Sequence, residues 1–204
     1  MHSTRYKAGL IVAFSILLGA WPILAGDFVW TNEGGPYGGR VYAVEYIDGS
    51  TLLAGTEHGG VYISHDSGDT WQTANEGLTS YIVNCIGKNP LNSNTVYIGT
   101  SGNGVFRTRN GTSACTWSER STNLGSNMVL SIAVSSVDTC MIYAGTVNGI
   151  YVATDCGGYW SDITNNISDP NVSAIALGPS GLDTLYVGTN SGVFKSTDGG
   201  VSWA

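Results

Sequence analysis

Few side chains in this sequence have the chemistry to break a bond or hold a cofactor. Glu45 and Asp48 are close enough in sequence to be weighed as a carboxylate pair for acid–base hydrolysis. The plainer reading is a solvated strand end. Ser64, His65 and Asp66 carry a nucleophile, a base and an acid in consecutive positions, but a triad is defined by geometry and not by adjacency. His58 and His65 lack the spacing of a zinc site. Asp66, Asp155 and Asp198 offer oxygens of the kind calcium takes, yet no cluster of several ligands is visible around any of them. The turn Gly34-Gly35-Pro36 precedes no helix that would cradle a phosphate. The residues therefore predict no catalytic set, no metal site and no cofactor. What remains is a group with chemical reach among short loops of Gly, Ser, Thr and Asn: Tyr37, Arg40, Glu57, His58 and Tyr81. Short loops build a shallow surface, which suits binding better than a deep, water-excluding catalytic pocket.

The elements that position these residues are read from repetition. Gly-Thr pairs begin at Gly55, Gly99, Gly145 and Gly188, with steps of 44, 46 and 43 residues. Gly-(Val/Ile)-aromatic triplets begin at Gly60, Gly104, Gly149 and Gly192. Tryptophans mark the same period at Trp30, Trp71, Trp117, Trp160 and Trp203. A period in the low forties with four runs of period-two alternation is one four-stranded propeller blade per repeat. The 29 glycines and the lack of any apolar three–four spacing argue against helices. The fold class expected is all-β, a β-propeller of four-stranded antiparallel blades at about 37–77, 78–122, 123–166 and 167–204. Inner strands are expected at Val41–Ile47, Tyr81–Ile86, Met128–Val134 and Val172–Leu177, and outer strands are expected to begin at the tryptophans. An orphan outer strand is expected at 27–32, around Trp30.

A second repeated element lies between the third and fourth strands. Ser64-x-Asp66-x-Gly68-x-x-Trp71 recurs as Ser196-x-Asp198-x-Gly200-x-x-Trp203, and with Ala153 for Ser as Asp155-x-Gly157-x-x-Trp160. Blade 2 has Asn110 for Asp and two extra residues before Trp117. Such a segment makes a hairpin turn: the carboxylate accepts backbone N–H groups two and three residues on, the glycine supplies positive φ, and the tryptophan buries apolar area. The pattern resembles the Asp-box or BNR repeat of sialidases, sortilin-type receptors, xyloglucan-degrading endoglucanases and photosystem II assembly-factor-like propellers. The resemblance covers the chain from about Trp30 onward. It implies a structural role for the box residues and ligand binding on the opposite face, around the axis. It also implies six or more blades, so the four present are expected to form an open arc of a longer polypeptide. Neither enzyme site of these families is matched. A sialidase-like site needs three arginines at the axis, and Arg107 and Arg109 fall on an outer strand. A xyloglucanase-like site needs carboxylates across a cleft between two propellers.

The N-terminus has a basic head, His2, Arg5 and Lys7, then an apolar run from Ala8 to Ala25. This predicts a signal peptide over 1–25, with a retained anchor as the alternative. Its removal leaves six Lys and Arg against fifteen Asp and Glu, a balance that excludes nucleic acid as a partner. No later stretch is long and apolar enough to span a bilayer. An exported chain permits disulfides. Counting outward from the turn at 146–149 puts Cys140 opposite about Asp155, next to Cys156, and predicts that bridge. Cys115 competes for either partner, and four reduced cysteines is the other outcome. The expected function is a secreted, periplasmic or cell-surface binding or scaffold module for a protein or carbohydrate ligand. The alternative is a piece of a glycoside hydrolase whose catalytic residues lie elsewhere.

Overall fold

The computed structural model describes residues 35–178 and 184–204. The expected signal peptide and the orphan strand at 27–32 lie outside the described residues. Among the described residues there is no helix and there are four antiparallel sheets, each a simple meander. Blade 1 comprises β1 (Val41–Asp48), β2 (Thr51–Thr56), β3 (Val61–Ser64) and β4 (Gln72–Thr73). Blade 2 comprises β5 (Val83–Lys88), β6 (Val96–Thr100), β7 (Val105–Thr108) and β8 (Ser118–Glu119). Blade 3 comprises β9 (Val129–Val134), β10 (Ile142–Thr146), β11 (Gly149–Ala153) and β12 (Ser161–Asp162). Blade 4 comprises β13 (Ala174–Leu177), β14 (Leu185–Thr189) and β15 (Gly192–Ser196). A fourth strand starts there, where Lys195 and Ala204 exchange backbone hydrogen bonds of 2.8 and 2.9 Å. The architecture is an open, partial β-propeller.

Blades are held together by their faces. Alternation along a strand sends successive side chains to opposite faces, so Ile98 joins the layer shared with blade 1 and Tyr97 the layer shared with blade 3. The Gly-Thr landmark has a steric reason. A Cβ on Gly55 would stand 2.6 Å from Val83, and one on Gly99 2.5 Å from Val129. Each is a valine at the start of the next inner strand, fully buried over the glycine. The end faces lack that cover: Val44 is 60% exposed in blade 1 and Val193 is 74% exposed in blade 4.

Strand ends differ from the sequence pattern in two ways. The inner strands of blades 2 and 4 begin at Val83 and Ala174, two residues later than expected. The residues before them bond to the preceding blade instead, Tyr81 accepting from the Gly60 N–H and Val172 donating to the Thr146 carbonyl. The outer strands of blades 1 to 3 begin one residue after Trp71, Trp117 and Trp160 and are two residues long. The tryptophan N–H also turns to the preceding blade, that of Trp117 to the Glu76 carbonyl and that of Trp160 to the Thr122 carbonyl.

Candidate functional site

Connections between first and second strands, and between third and fourth, lie at one end of every blade. The remaining connections lie at the other, where they bond to one another. The Glu57 N–H donates to the Arg40 carbonyl (2.8 Å), the His58 N–H to the Gly38 carbonyl (2.9 Å) and the Gly60 N–H to the Tyr81 carbonyl (2.9 Å). Gly39, at φ +85°, lets the loop run close to Glu57 and His58. Arg40, Glu57, His58 and Tyr81 are thereby gathered at one end of blade 1, and Tyr37 stands beside them, 91% exposed.

Tyr42, a residue the sequence pattern does not single out, completes the group. Its hydroxyl donates to Glu57 Oε1 at 3.1 Å. That bond, helped by a backbone N–H and the charges of His58 and Arg40, holds the Glu57 carboxyl below its ordinary range. A phenol, a guanidinium, an imidazole and an ionised carboxylate on an open surface can hydrogen-bond a polar ligand. Two clefts, of about 210 and 320 Å³, lie elsewhere, among outer strands.

Glu45 and Asp48 do not face each other. Burial along β1 places Glu45 on the inward row with Ile47 and Asp48 on the exposed row with Tyr46. Burial pushes the Glu45 carboxyl up, partly countered by Lys88. Asp48 accepts from the Ser93 hydroxyl at 3.3 Å. Ser64, His65 and Asp66 sit in a turn, where Ser64 Oγ donates to Asp66 Oδ1.

The polar side chains of the Ser-x-Asp-x-Gly-x-x-Trp segments are occupied by their own turns. Asp66 Oδ1 accepts the Thr70 N–H (2.8 Å) and Oδ2 the Thr70 hydroxyl (2.6 Å). Asp198 repeats this with Ser202, at 2.9 and 2.6 Å. The main backbone donor is thus four residues on, not two or three; Ser64 and Ser196 take the nearer N–H groups, including those of Gly68 and Gly200 at 2.8 Å each. In the turn without serine, Asp155 Oδ1 reaches Gly158 and Tyr159. Asn110 stands in with its amide oxygen toward the Thr116 N–H. Gly68, Gly157 and Gly200 all have positive φ. Among the described residues no cluster of three His, Cys, Asp or Glu is placed to hold a metal.

These turns carry a pH signature. Hydrogen bonds from Thr70 and Ser64 draw the Asp66 carboxyl down to about 2, and those from Ser202 and Ser196 do the same for Asp198. A folded-state value below the unfolded one, about 3.9, means that the stabilisation is present above pH 4 and is lost as pH falls through 2. The melting temperature is therefore expected to drop between pH 4 and pH 2. Asp66→Asn with Asp198→Asn should flatten that drop; an unchanged pH slope in the double variant would refute the assignment.

No protein-family model matches the sequence, and no curated protein matches it. Solved structures do. An ancestral GH74 enzyme superposes with a TM-score of 0.68 at 26% identity over 87% of this chain and 25% of that one. The GH74 xyloglucanase from Xanthomonas campestris gives 0.65 at 18% identity, over 82% of this chain and 30% of that one. YCF48 from Cyanidioschyzon merolae gives 0.61 at 14% identity, over 83% of this chain and 56% of that one. The chain spans less than a third of the length of the GH74 enzymes it matches.

Proposed function

We propose that this β-propeller module is a non-enzymatic binding or scaffold unit. It works outside the cytoplasm, in the periplasm, at the cell surface or secreted, alongside further blades of a longer polypeptide. Its ligand, a protein or a carbohydrate, meets the blade-1 loops through Tyr37, Arg40, Glu57, His58 and Tyr81. One observation carries this reading: no two carboxylates among the candidates face each other. Glu45 and Asp48 occupy opposite faces of β1, and Glu57 is held ionised by Tyr42. Acid–base hydrolysis of a glycoside needs a protonated and an ionised carboxyl across one bond. The acidic balance of the chain argues against nucleic acid.

The likeness to GH74 enzymes favours a second reading, a piece of a glycoside hydrolase whose catalytic pair is completed by other blades. Incubating the full-length polypeptide, with its further blades, with xyloglucan and with sialosides, and assaying released sugar, separates the two. No release is expected. Release abolished by Glu45→Gln with Asp48→Asn would overturn the binding reading, and release that survives those changes would establish the hydrolase reading, with its catalytic pair on other blades.

A further inference from the structure

Blade 2 breaks the repeat where its outer hairpin turns toward blade 3. The third residue after the glycine of the Gly-(Val/Ile)-aromatic triplet is Ile63 in blade 1 and Val152 in blade 3, but Arg107 in blade 2; in blade 4 it is Lys195. The third residue after the tryptophan is Ala74 in blade 1 and Ile163 in blade 3, but Arg120 in blade 2. In blade 1 these positions are buried, and Ile63 and Ala74 belong to the cluster that holds Trp117. Arginine gives up that apolar contact, and such local departures from a consistent pattern concentrate at functional sites.

The hairpin register sets Arg107 opposite Ser118. Alternation then puts Arg107, Arg109, Thr116, Ser118 and Arg120 on one face, where with Asn110 they line the groove of about 320 Å³. Arg107 is buried and donates through Nη1 to the Cys156 carbonyl at 3.1 Å. Arg120 Nε is buried with no hydrogen-bond partner. Arg109 stands exposed at the mouth. Burial and the charges of Arg107 and Arg109 make the protonated form of Arg120 less favourable than usual. Half of the Lys and Arg among the described residues converge here, in a chain of net charge −7. Of the nearby carboxylates, Asp155 accepts the Gly158 and Tyr159 N–H groups, and Glu76 accepts the hydroxyl of Thr116 at the groove wall at 3.4 Å.

We propose that this groove binds an oxyanion, the sulfate, phosphate or carboxylate group of an acidic ligand, with Arg109 and Arg120 as charged donors and Ser118 as a hydroxyl donor. Arg107, tied to Cys156, positions the floor. Guanidinium forks match planar and tetrahedral oxyanions, and charge-assisted hydrogen bonds are the strong ones. An anion would give Arg120 Nε its missing acceptor and relieve the repulsion of three like charges. The site lies on the outer strands and does not rest on the blade-1 loops.

The test is titration with inorganic phosphate, inorganic sulfate and acetate, each at constant ionic strength, following the arginine Nε–H resonances. At least one anion should give a saturable shift of the Arg120 Nε–H signal, and which one does identifies the anion class. Arg109→Ala and Arg120→Gln should each weaken that binding by about tenfold or more. Lys195→Ala, an equal loss of charge in another blade, should leave it unchanged. The proposal is overturned if no anion gives saturation, or if Lys195→Ala weakens binding as much as Arg109→Ala. Arg109 is exposed, so its replacement keeps the test decisive should Arg120→Gln fail to fold.

Discussion

Replacing Trp160 by Ala should lower the unfolding free energy by about 3–5 kcal/mol, the usual cost of emptying a buried tryptophan site. Trp71→Ala should cost much less, about 1 kcal/mol. The two residues hold equivalent positions in the repeat but not equivalent surroundings. Trp160 is fully buried, and its Nε1–H donates to the Arg120 carbonyl of the preceding blade at 2.6 Å. Trp117 and Trp203 do the same toward Ala74 and Ile163, both at 2.8 Å. Each of these indoles is a clasp between blades. Trp71 is half-buried and donates to Gly68 in its own turn, at 3.0 Å. Chemical denaturation of both variants measures the difference. Equal losses would mean that the indole stabilises the turn alone and that the inter-blade bond contributes little. Trp160→Phe, which keeps an aromatic ring but lacks the donor, should fall between and isolates the hydrogen bond at about 1–2 kcal/mol.

Much of the blade was legible because its determinants are local. The second and third strands are bounded by Gly-Thr and by Gly-(Val/Ile)-aromatic signals, and β2, β3, β6 and β7 run between those marks. Inner strands are set partly by the preceding blade, which captures Tyr81 and Val172 before they can pair within their own sheet. Nothing in a single repeat announces that competition. The four-residue reach of Asp66 and Asp198 has a similar cause. The turn N–H groups nearest the carboxylate go to serine Oγ, a partition that only three-dimensional packing decides.

The loop group at blade 1 was legible as polar residues in Gly-rich connections, but Tyr42 was not. It lies in a strand, and it reaches Glu57 only because β1 and β2 pair Val41 with Thr56, one residue from each. The arginine groove was legible in principle. Arg107 and Arg109 share one strand face by period two, and the turn before Trp117 returns Arg120 to the same face. Comparing each position with its equivalent in the other blades gives the signal; counting arginines does not. The floor of the groove, in contrast, comes from the neighbouring blade through the Cys156 carbonyl, which accepts from both Arg107 and the Tyr97 hydroxyl.

Removing the bridge beneath that carbonyl should cost about 3 kcal/mol. Cys140 and Cys156 are joined, with Cα atoms 4.0 Å apart and a sequence separation of 16, and closing a loop of that length removes about this much unfolded-chain entropy. The pairing follows from register. Ile142 faces Ala153 across β10 and β11, and the ladder runs on until the Cys156 N–H donates to the Cys140 carbonyl at 2.9 Å. Cys156 also occupies, at φ +61°, the left-handed turn position that Ser67 fills in blade 1 and Gly199 in blade 4. Cys115 is buried in the turn of blade 2, Cys85 lies in β5, and burial raises their thiols to about 11 and about 12, so neither offers a reactive thiolate near neutrality. Cys140→Ala with Cys156→Ala should therefore reproduce the stability loss caused by a phosphine reductant in the parent and be insensitive to that reductant itself. Thiol titration of the non-reduced parent should find two groups after denaturation and almost none before it. Four titratable thiols in protein recovered from its native compartment would remove the bridge, and a Cys115–Cys140 peptide in a non-reducing digest would show that the β10–β11 register is not the one that forms.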